Sequence, residues 1–586
     1  MLLVCHLLLA IAQASPPPGP TPEVRPGSTA VLFENGSIRL GDENGTVVSA
    51  LLAVDGVVRS VGPADKLVEE ANGLQLQRVD LGGSWAVPGL QDAHGHVENY
   101  GRSLEVLDLR EFTDYASMIA AVAEVAAQRP AGEWIEGRGW DQNTWPDTKF
   151  PHHAALSAAV PDHPLILDRV DGHAVLCNKA ALELSGLGGL MLEEPKIDGG
   201  RVYIDEKRQA TGVLIDNAIG LVRKHVPEPD RATRRRRLLR AQDALLADGL
   251  TCVHDMGIDD EIADLYRELE SQGLLRLRVV AYLAGNRGLS KEMLAEYPWR
   301  SPRQDRLDII GVKLLADGAL GSRGAALLAD YSDAPGERGA LLLKEDRLTL
   351  LVHEAWQAGL QPAIHAIGDR ANRLVLDVYE RMEQVDEHFS DLRPRIEHAQ
   401  VVSPRDWPRF PSLGVIPSMQ PVHAASDMAW APARLGEERS RGAYAWRHLA
   451  GGVAPLAFGS DFPVESPNPL QGIAAARTRR DLDGRERAGF EADDALDGRA
   501  ALLGFTVGAA YACGQEERRG RLMPGFAADL TVLKLDPVEA PPELLARTRA
   551  QMTVIDGEVV YDGALAVPHE AGAETGSAPG TPEAGR

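Results

Sequence analysis

Two histidines two residues apart, His94 and His96, sit in Asp92-Ala93-His94-Gly95-His96 at the end of an apolar run. If that run is a strand, both side chains point to one face, where a pair of imidazoles can grip a divalent cation. Four more polar residues share this setting: Lys313 in GVKLLADGALGSRG, His365 in HAIGDRA, His398 in RIEHAQ and Asp461 in FGSDFPV. Taken singly, each has a plain structural explanation. His365 can be a satisfied core histidine, Asp461 a helix cap and Lys313 an ion-pair partner. Taken together, the four histidines and the aspartate offer the nitrogen and oxygen donors preferred by zinc or a similar divalent ion. Lys313 stands apart, because an ammonium cannot bind a cation and is costly inside an apolar strand unless paired or chemically altered. Deprotonated and carboxylated by carbon dioxide, it becomes an anionic carbamate whose two oxygens could bridge two metals.

These residues need elements that bring them to one place. Strand-like runs occur at 86–90, 251–254, 277–283, 309–315, 361–365, 395–398, 414–419 and 455–459, and several are followed by amphipathic helical sequence, as at 262–272, 347–358 and 370–385. Alternation of this kind argues for a parallel sheet, and eight units argue for a (β/α)8 barrel, with a doubly wound open sheet as the alternative. The candidate residues fall at the C-terminal ends of the strands, where barrel active sites are built. The gap from 90 to 251 is too long for one unit and is read as an insertion over about 100–235. Short β-rich runs at 29–33, 47–54 and 57–61, and again at 528–533, 552–555 and 558–561, suggest one small β-sandwich assembled from both chain ends, since termini often lie close together. The expected organisation is therefore a signal-like segment and Pro-rich linker over 1–27, sandwich over 28–87, barrel over 88–505, sandwich again over 506–567, and a disordered tail over 568–586.

Composition narrows the function. The 586 residues are 44% hydrophobic and 25% charged, as in an ordinary globular protein. With 61 basic and 85 acidic side chains the net charge is −24, a surface that repels phosphate backbones and makes nucleic acid an unfavourable partner. The basic run at 234–237 is read as a solvated face or an intramolecular ion-pair partner. The four cysteines, Cys5, Cys177, Cys252 and Cys513, are too scattered for a disulfide framework or a CxxC zinc site, and Cys177 and Cys252 sit in apolar surroundings as inert residues. The apolar run 2–12 is too short to span a bilayer, so no stable membrane anchor is expected. Ala12-Gln13-Ala14 fits a signal-peptidase site, although no Lys or Arg precedes the run. Export is favoured slightly over a cytoplasmic location. Neither a G-x-S-x-G elbow nor a phosphate-binding glycine loop is present in context.

The segments VPGLQDAHGH (87–96), GWDQNTW (139–145), DGHAVLCNKAAL (171–182), GVKLLADGALGSRGA (311–325), HAIGDRAN (365–372), RIEHAQ (395–400), GVIPSMQPVHAASDMAW (414–430), AFGSDFPVESPNPL (457–470) and MPGFAADLTVL (523–533) form a specific set. Over about 28–562 the chain resembles the amidohydrolase superfamily, in the large-amidohydrolase branch similar to N-substituted formamide deformylase. The resemblance implies a metal-bearing (β/α)8 barrel with a small β-sandwich. It implies one metal on His94, His96 and Asp461, a second on His365 and His398, and carboxylated Lys313 as the bridge. Asp92 would orient a ligand histidine. The implied cofactor is a divalent metal, zinc first, with one or two per chain.

The implied reaction is hydrolysis of a non-peptide C–N bond in a small amide, formamide or cyclic amide. Metal-bound water attacks, and Asp461 acts as general acid and base. The resemblance places Trp140, His173, Arg323, His423 and Trp430 around the mouth, and Asp317 is a further substrate-binding candidate. Arg323 could hold a carboxylate or carbonyl, and His173 and His423 could donate hydrogen bonds. In the alternative, the tryptophans pack the insertion, the histidines cap loops and Asp317 begins the turn at Gly318. Other functions compatible with the same residues are ester or carbamate hydrolysis, and a non-catalytic sensor barrel. The expected partner is a small-molecule amide, and a homodimer is allowed.

Overall fold

The computed structural model describes residues 27–190, 197, 199–302, 306–449, 455–482 and 489–565. The signal-like segment with Cys5 and the C-terminal tail lie outside the described residues. Eight parallel strands carry the architecture: β1 Leu90–Gly95, β2 Leu250–Ile258, β3 Arg278–Ala284, β4 Leu307–Leu315, β5 Gln361–Ala366, β6 Arg395–His398, β7 Ile416–Met419 and β8 Ala457–Phe458. They pair in sequence order from β1 to β8. The ring nearly closes where the Asp461 N–H donates to the His94 carbonyl at 2.7 Å and the His96 N–H donates to the Phe462 carbonyl at 2.9 Å. This α/β barrel disposes of the open-sheet alternative, because an open sheet would leave both edges unpaired.

The strands read as near-continuous apolar runs because both faces are buried, as in all-parallel sheets. The helices that follow are amphipathic: Asp260–Ser271 buries Ile262, Leu265, Tyr266 and Leu269 on one face. The Asp259 side chain caps its first turn by accepting from the Ile262 N–H at 2.9 Å.

The expected strand at 86–90 divides in two. Trp85–Pro88 pairs with Leu530–Leu533 and Ser37–Arg39 in a different sheet, and the barrel strand begins only at Leu90. Gly89 marks the division: a Cβ there would lie 2.4 Å from the Thr251 Oγ1, so only glycine lets the chain pass from one sheet to the next. The run at 47–54 likewise breaks at Ser49, giving Val47–Val48 to one sheet and Ala50–Val54 to another. Strands from both chain ends thus build one six-stranded sheet. A four-stranded sheet (Val57–Gly62, Ala50–Val54, Thr29–Glu34, Gln75–Asp80) shares a core with it through Phe33, Leu51 and Val58 against Leu530, Val532 and Val554. Between β1 and β2 the chain builds a further six-stranded sheet, from Leu107–Asp108 to Ala210–Asp216, around Trp140, Leu165, Leu176 and Val213. Among the described residues no helix is long and apolar enough to cross a membrane.

Candidate metal centre

His94, His96, Lys313, His365, His398 and Asp461, drawn from the ends of β1, β4, β5 and β6 and the loop after β8, line one cavity of about 260 Å³ at the C-terminal mouth of the barrel. The convergence follows from register. In the parallel ladder Leu315 lies opposite His365 and Ala366 opposite His398, so β4, β5 and β6 end at one level. The last two ligand candidates leave their strands through strained backbone. His398 has φ 71°, Ala399 φ 41° and Asp461 φ 61°, a left-handed conformation rare outside glycine and concentrated at functional sites.

The histidines are oriented alike. His94 Nδ1 meets Glu397 Oε2 at 2.5 Å, His96 Nδ1 meets the Met256 carbonyl at 2.8 Å and His398 Nδ1 meets Gln420 Oε1 at 2.7 Å. Each acceptor fixes the proton on Nδ1 and leaves the Nε2 lone pair facing inward, the arrangement expected of metal-ligating histidines. His94 Nε2 and His96 Nε2 stand 3.6 and 3.1 Å from Asp461 Oδ1, and Lys313 Nζ is 3.1 Å from His94 Nε2. His365 Nε2 is buried without a hydrogen-bond partner, 3.5 Å from Asp317 Oδ1. Among the described residues two groups of three donors are close enough to share an ion: His94, His96 and Asp461, and His398, His423 and Asp461.

Electrostatics suit a cation. Burial, with Lys313 nearby, pushes His94 down to about 4, and burial holds His365 and His398 well below the ordinary histidine range. These imidazoles are therefore neutral donors at neutral pH. Burial also pushes Lys313 down to about 8. Burial acts to raise Asp461, but the His96, His94 and His398 side chains around its carboxylate outweigh that and hold it well below the ordinary carboxylate range. Neutral imidazoles around a buried carboxylate, with the His365 Nε2 left without a hydrogen-bond partner, fit a divalent metal and leave it an open position.

A sequence model of the amidohydrolase family matches residues 77–561. The chain belongs to the amidohydrolase family. It is similar to YtcJ of Bacillus subtilis, named as an amidohydrolase, with 29% identity over 548 residues, 91% of this chain and 99% of YtcJ. It is also similar to the N-substituted formamide deformylase of Arthrobacter pascens, with 25% identity over 550 residues, 91% of this chain and 98% of that one. Among solved structures, an uncharacterized metal-dependent hydrolase from Pyrococcus horikoshii superposes with a TM-score of 0.70 at 31% identity, covering 88% of this chain and 99% of its own. The chain is thus a hydrolase of a family with metal-dependent members.

Of the residues expected around the mouth of this amidohydrolase, His173, His423 and Trp430 line the cavity. Trp140 does not: its ring packs in the core of the inserted sheet, and its Nε1 donates to the Leu167 carbonyl at 2.7 Å. Arg323 also stays outside the cavity lining and pairs with Asp333 at 2.9 Å, because a left-handed turn at φ 60° directs the chain there. Asp317 is fully buried and accepts the Ala326, Ile367 and Gly368 N–H groups, organising the loops after β4 and β5. Asp92 accepts from the His94 N–H and from Ser460 N–H and Oγ–H, so it positions backbone and not an imidazole ring; burial pushes it up to about 7.

A carboxylate that orients a candidate ligand ring is Glu397, which carried no role in the sequence reading. It is fully buried, binds His94 and receives Arg395 Nε at 2.7 Å. Arg395 in turn donates to the Ala93 carbonyl, Ser418 Oγ and Tyr282 Oη. The available signal was Arg-x-Glu in an apolar strand, two charges on one face of β6. The cavity wall adds Asp141, Arg169, Asp171, Asp427 and Glu465, of which Arg169 pairs with both Asp141 and Asp171.

Proposed function

We propose that this chain is a metal-dependent amidohydrolase that cleaves the C–N bond of a small, non-peptide amide or formamide, with zinc as the metal. The observation that carries the reading is the group of buried His94 and Asp461 with half-buried His96, both rings locked on Nδ1 and both Nε2 atoms turned to one carboxylate. These three residues would hold the ion. A divalent metal supplies Lewis acidity there and lowers the pKa of water towards neutrality.

The chain's own side chains do the rest. Ionised Asp461 takes the proton from attacking water and returns it to the leaving nitrogen. His173 lines the cavity with Nδ1 held by Asp216 Oδ1 at 2.7 Å; burial lowers its pKa, but Asp216 outweighs burial and raises it. Protonated, the form that Asp216 favours, it offers its Nε2–H to stabilise the oxygen that gains charge as the carbonyl is attacked. Trp430 gives the substrate an apolar wall. We read the inserted sheet as the element that brings His173 over the mouth, and the two end sheets as one composite sandwich. The 25%-identical deformylase supports N-substituted formamides as the first compounds to assay.

The test is amine release from N-benzylformamide and related amides, beside matched esters, by zinc-loaded and chelated protein. Hydrolysis of amides that disappears on chelation and falls about 10²–10⁴-fold in Asp461→Asn is expected. Faster turnover of every matched ester would replace the reading with an esterase. A folded protein that binds no metal would end it in favour of a sensor.

A further inference from the structure

The inserted sheet turns one charged side chain toward the mouth that the proposed reaction does not use. In the strand Ile135–Trp140, Ile135 and Trp140 both pack in the core of that sheet, although residues five apart on a regular strand point to opposite faces. The parity changes at a bulge: Arg138 lies opposite Asp168 and Trp140 opposite Arg169, which leaves Gly139 unpaired at φ 110°. A Cβ on Gly139 would fall 2.4 Å from Arg110 Cγ, so the bulge needs glycine. The bulge keeps Trp140 in the core while Arg138 lines a cavity of about 370 Å³. His96 lines the same cavity, with Pro463 and Val464 of the loop after Asp461, so it opens beside the candidate metal centre.

The carboxylates around Arg138 are engaged by other arginines. Asp168 pairs with Arg102 and Arg223, Glu136 with Arg102, and Asp171 with Arg169. Among the described residues no carboxylate lies within ion-pair distance of Arg138. Its Nη2 donates to the Val170 carbonyl at 3.1 Å, which leaves most of its N–H donors for the cavity. Burial would lower the pKa of Arg102 and Arg169, but their carboxylates outweigh it and raise both; burial lowers that of Arg138, and Asp168 and Asp461 do not offset it. A largely buried cation without a counter-charge is costly unless a ligand supplies one. Resting on the reading that this mouth hydrolyses a small amide, we propose that Arg138 receives a carboxylate carried by the substrate. Asp461 returns its proton to the leaving nitrogen, and the residues that follow Asp461 wall this cavity, so the carboxylate belongs to the amine part. The substrate is then an N-formyl or N-acyl amino acid. Water adds across its C–N bond, giving the free amino acid and formate or another carboxylic acid. A singly charged carboxylate matches one unpaired guanidinium, fork to fork, and Asp168 and Asp171 on the same wall disfavour a doubly charged phosphate.

The test pairs the N-formyl derivatives of glycine, phenylalanine and 6-aminohexanoic acid with N-methylformamide, N-(2-phenylethyl)formamide and N-pentylformamide, which lack only the carboxylate. Full-length wild type, Arg138→Met and Arg138→Lys are compared, and thermal melts confirm folding. Zinc-loaded protein reports kcat/KM. Chelated protein, which does not turn over, reports affinity by calorimetry. In at least one pair wild type is expected to favour the acid about 10–100-fold in both readouts, the range of a charge-assisted hydrogen-bonded pair. That preference is expected to collapse in Arg138→Met and to survive in part in Arg138→Lys, which keeps the charge and loses the fork. No preference for the acid in any pair would overturn the proposal, and turnover of the neutral formamides would leave the hydrolase reading intact. An undiminished preference in folded Arg138→Met would overturn it as well; if both variants fail to fold, the wild-type comparison decides. A calorimetric preference in a protein that hydrolyses none of these compounds would retain the carboxylate site and end the hydrolase reading.

Discussion

Replacing Glu397 with glutamine keeps the shape of the side chain and removes one buried charge. Glu397 receives His94 Nδ1 at 2.5 Å and Arg395 at 2.7 and 3.1 Å, with both carboxylate partners fully buried. Two separate losses follow. The apo protein keeps a buried guanidinium without its counter-charge, a change worth about 3–5 kcal/mol. The low end is expected, since Arg395 retains Ala93, Ser418, Tyr282 and His254 as partners. His94 also loses the acceptor that fixes its tautomer, and such outer partners are worth about 10–100-fold in metal affinity. That is about 1.4–2.8 kcal/mol at 1.4 kcal/mol per tenfold.

Urea unfolding of the apo forms reads the first loss, and zinc competition with a chromophoric chelator reads the second. The pH dependence has a definite sign. Burial tends to raise Glu397, but the Arg395 charge and the His94 contacts outweigh it and hold the folded value below the ordinary carboxylate range. The stabilisation is therefore complete above that range and is lost as pH falls through the depressed folded value. The gap between wild type and Glu397→Gln should be flat near neutrality and close in strong acid. Unchanged zinc affinity in a folded Glu397→Gln protein would refute the claim that this glutamate holds the ligand ring.

Gly459→Ala tests the closure of the barrel: a Cβ there would fall 2.5 Å from both Asp92 Oδ1 and the His94 N, and that backbone cannot retreat. A loss of about 1–3 kcal/mol with weakened zinc retention is expected in unfolding and chelator assays, and a stable, metal-replete variant would contradict the packing. Asp529→Asn tests the tie between the barrel and the end sheets, where Arg278 of β3 donates through Nε and Nη2 to Asp529 at 2.9 Å each. About 3 kcal/mol is expected at neutral pH, since Asp556 remains as a partner. Burial would raise Asp529 but Arg278 lowers it, so the wild-type advantage should vanish in acid. Equal denaturation midpoints at neutral pH would refute the role.

The periodic elements were legible because their signals are local. The strand runs at 395–398 and 361–365 appear within a residue as Arg395–His398 and Gln361–Ala366, and the helix expected at 370–385 is Asp369–Val385. Boundaries slipped where two sheets meet. Val87 and Leu90 are equally apolar, and only tertiary contact at Gly89 assigns one to the end sheet and the other to the barrel. Trp140 shows the limit of motif reading: a tryptophan beside a polar loop serves a pocket or a core equally well, and here its indole N–H finds a backbone carbonyl inside the core.

Residue type and spacing by themselves determined that nitrogen and oxygen donors recur at the ends of apolar strands, because strand periodicity and the cost of burying polar groups are properties of short segments. Which of those donors face one another was decided only by the tertiary structure. Glu397 is 303 residues from the His94 ring that it orients, and His423 reaches Asp461 from a different strand end. Contacts of that range depend on barrel register and loop strain, which no local pattern encodes. The same residues could otherwise have been a cap, a core histidine and a surface ion pair.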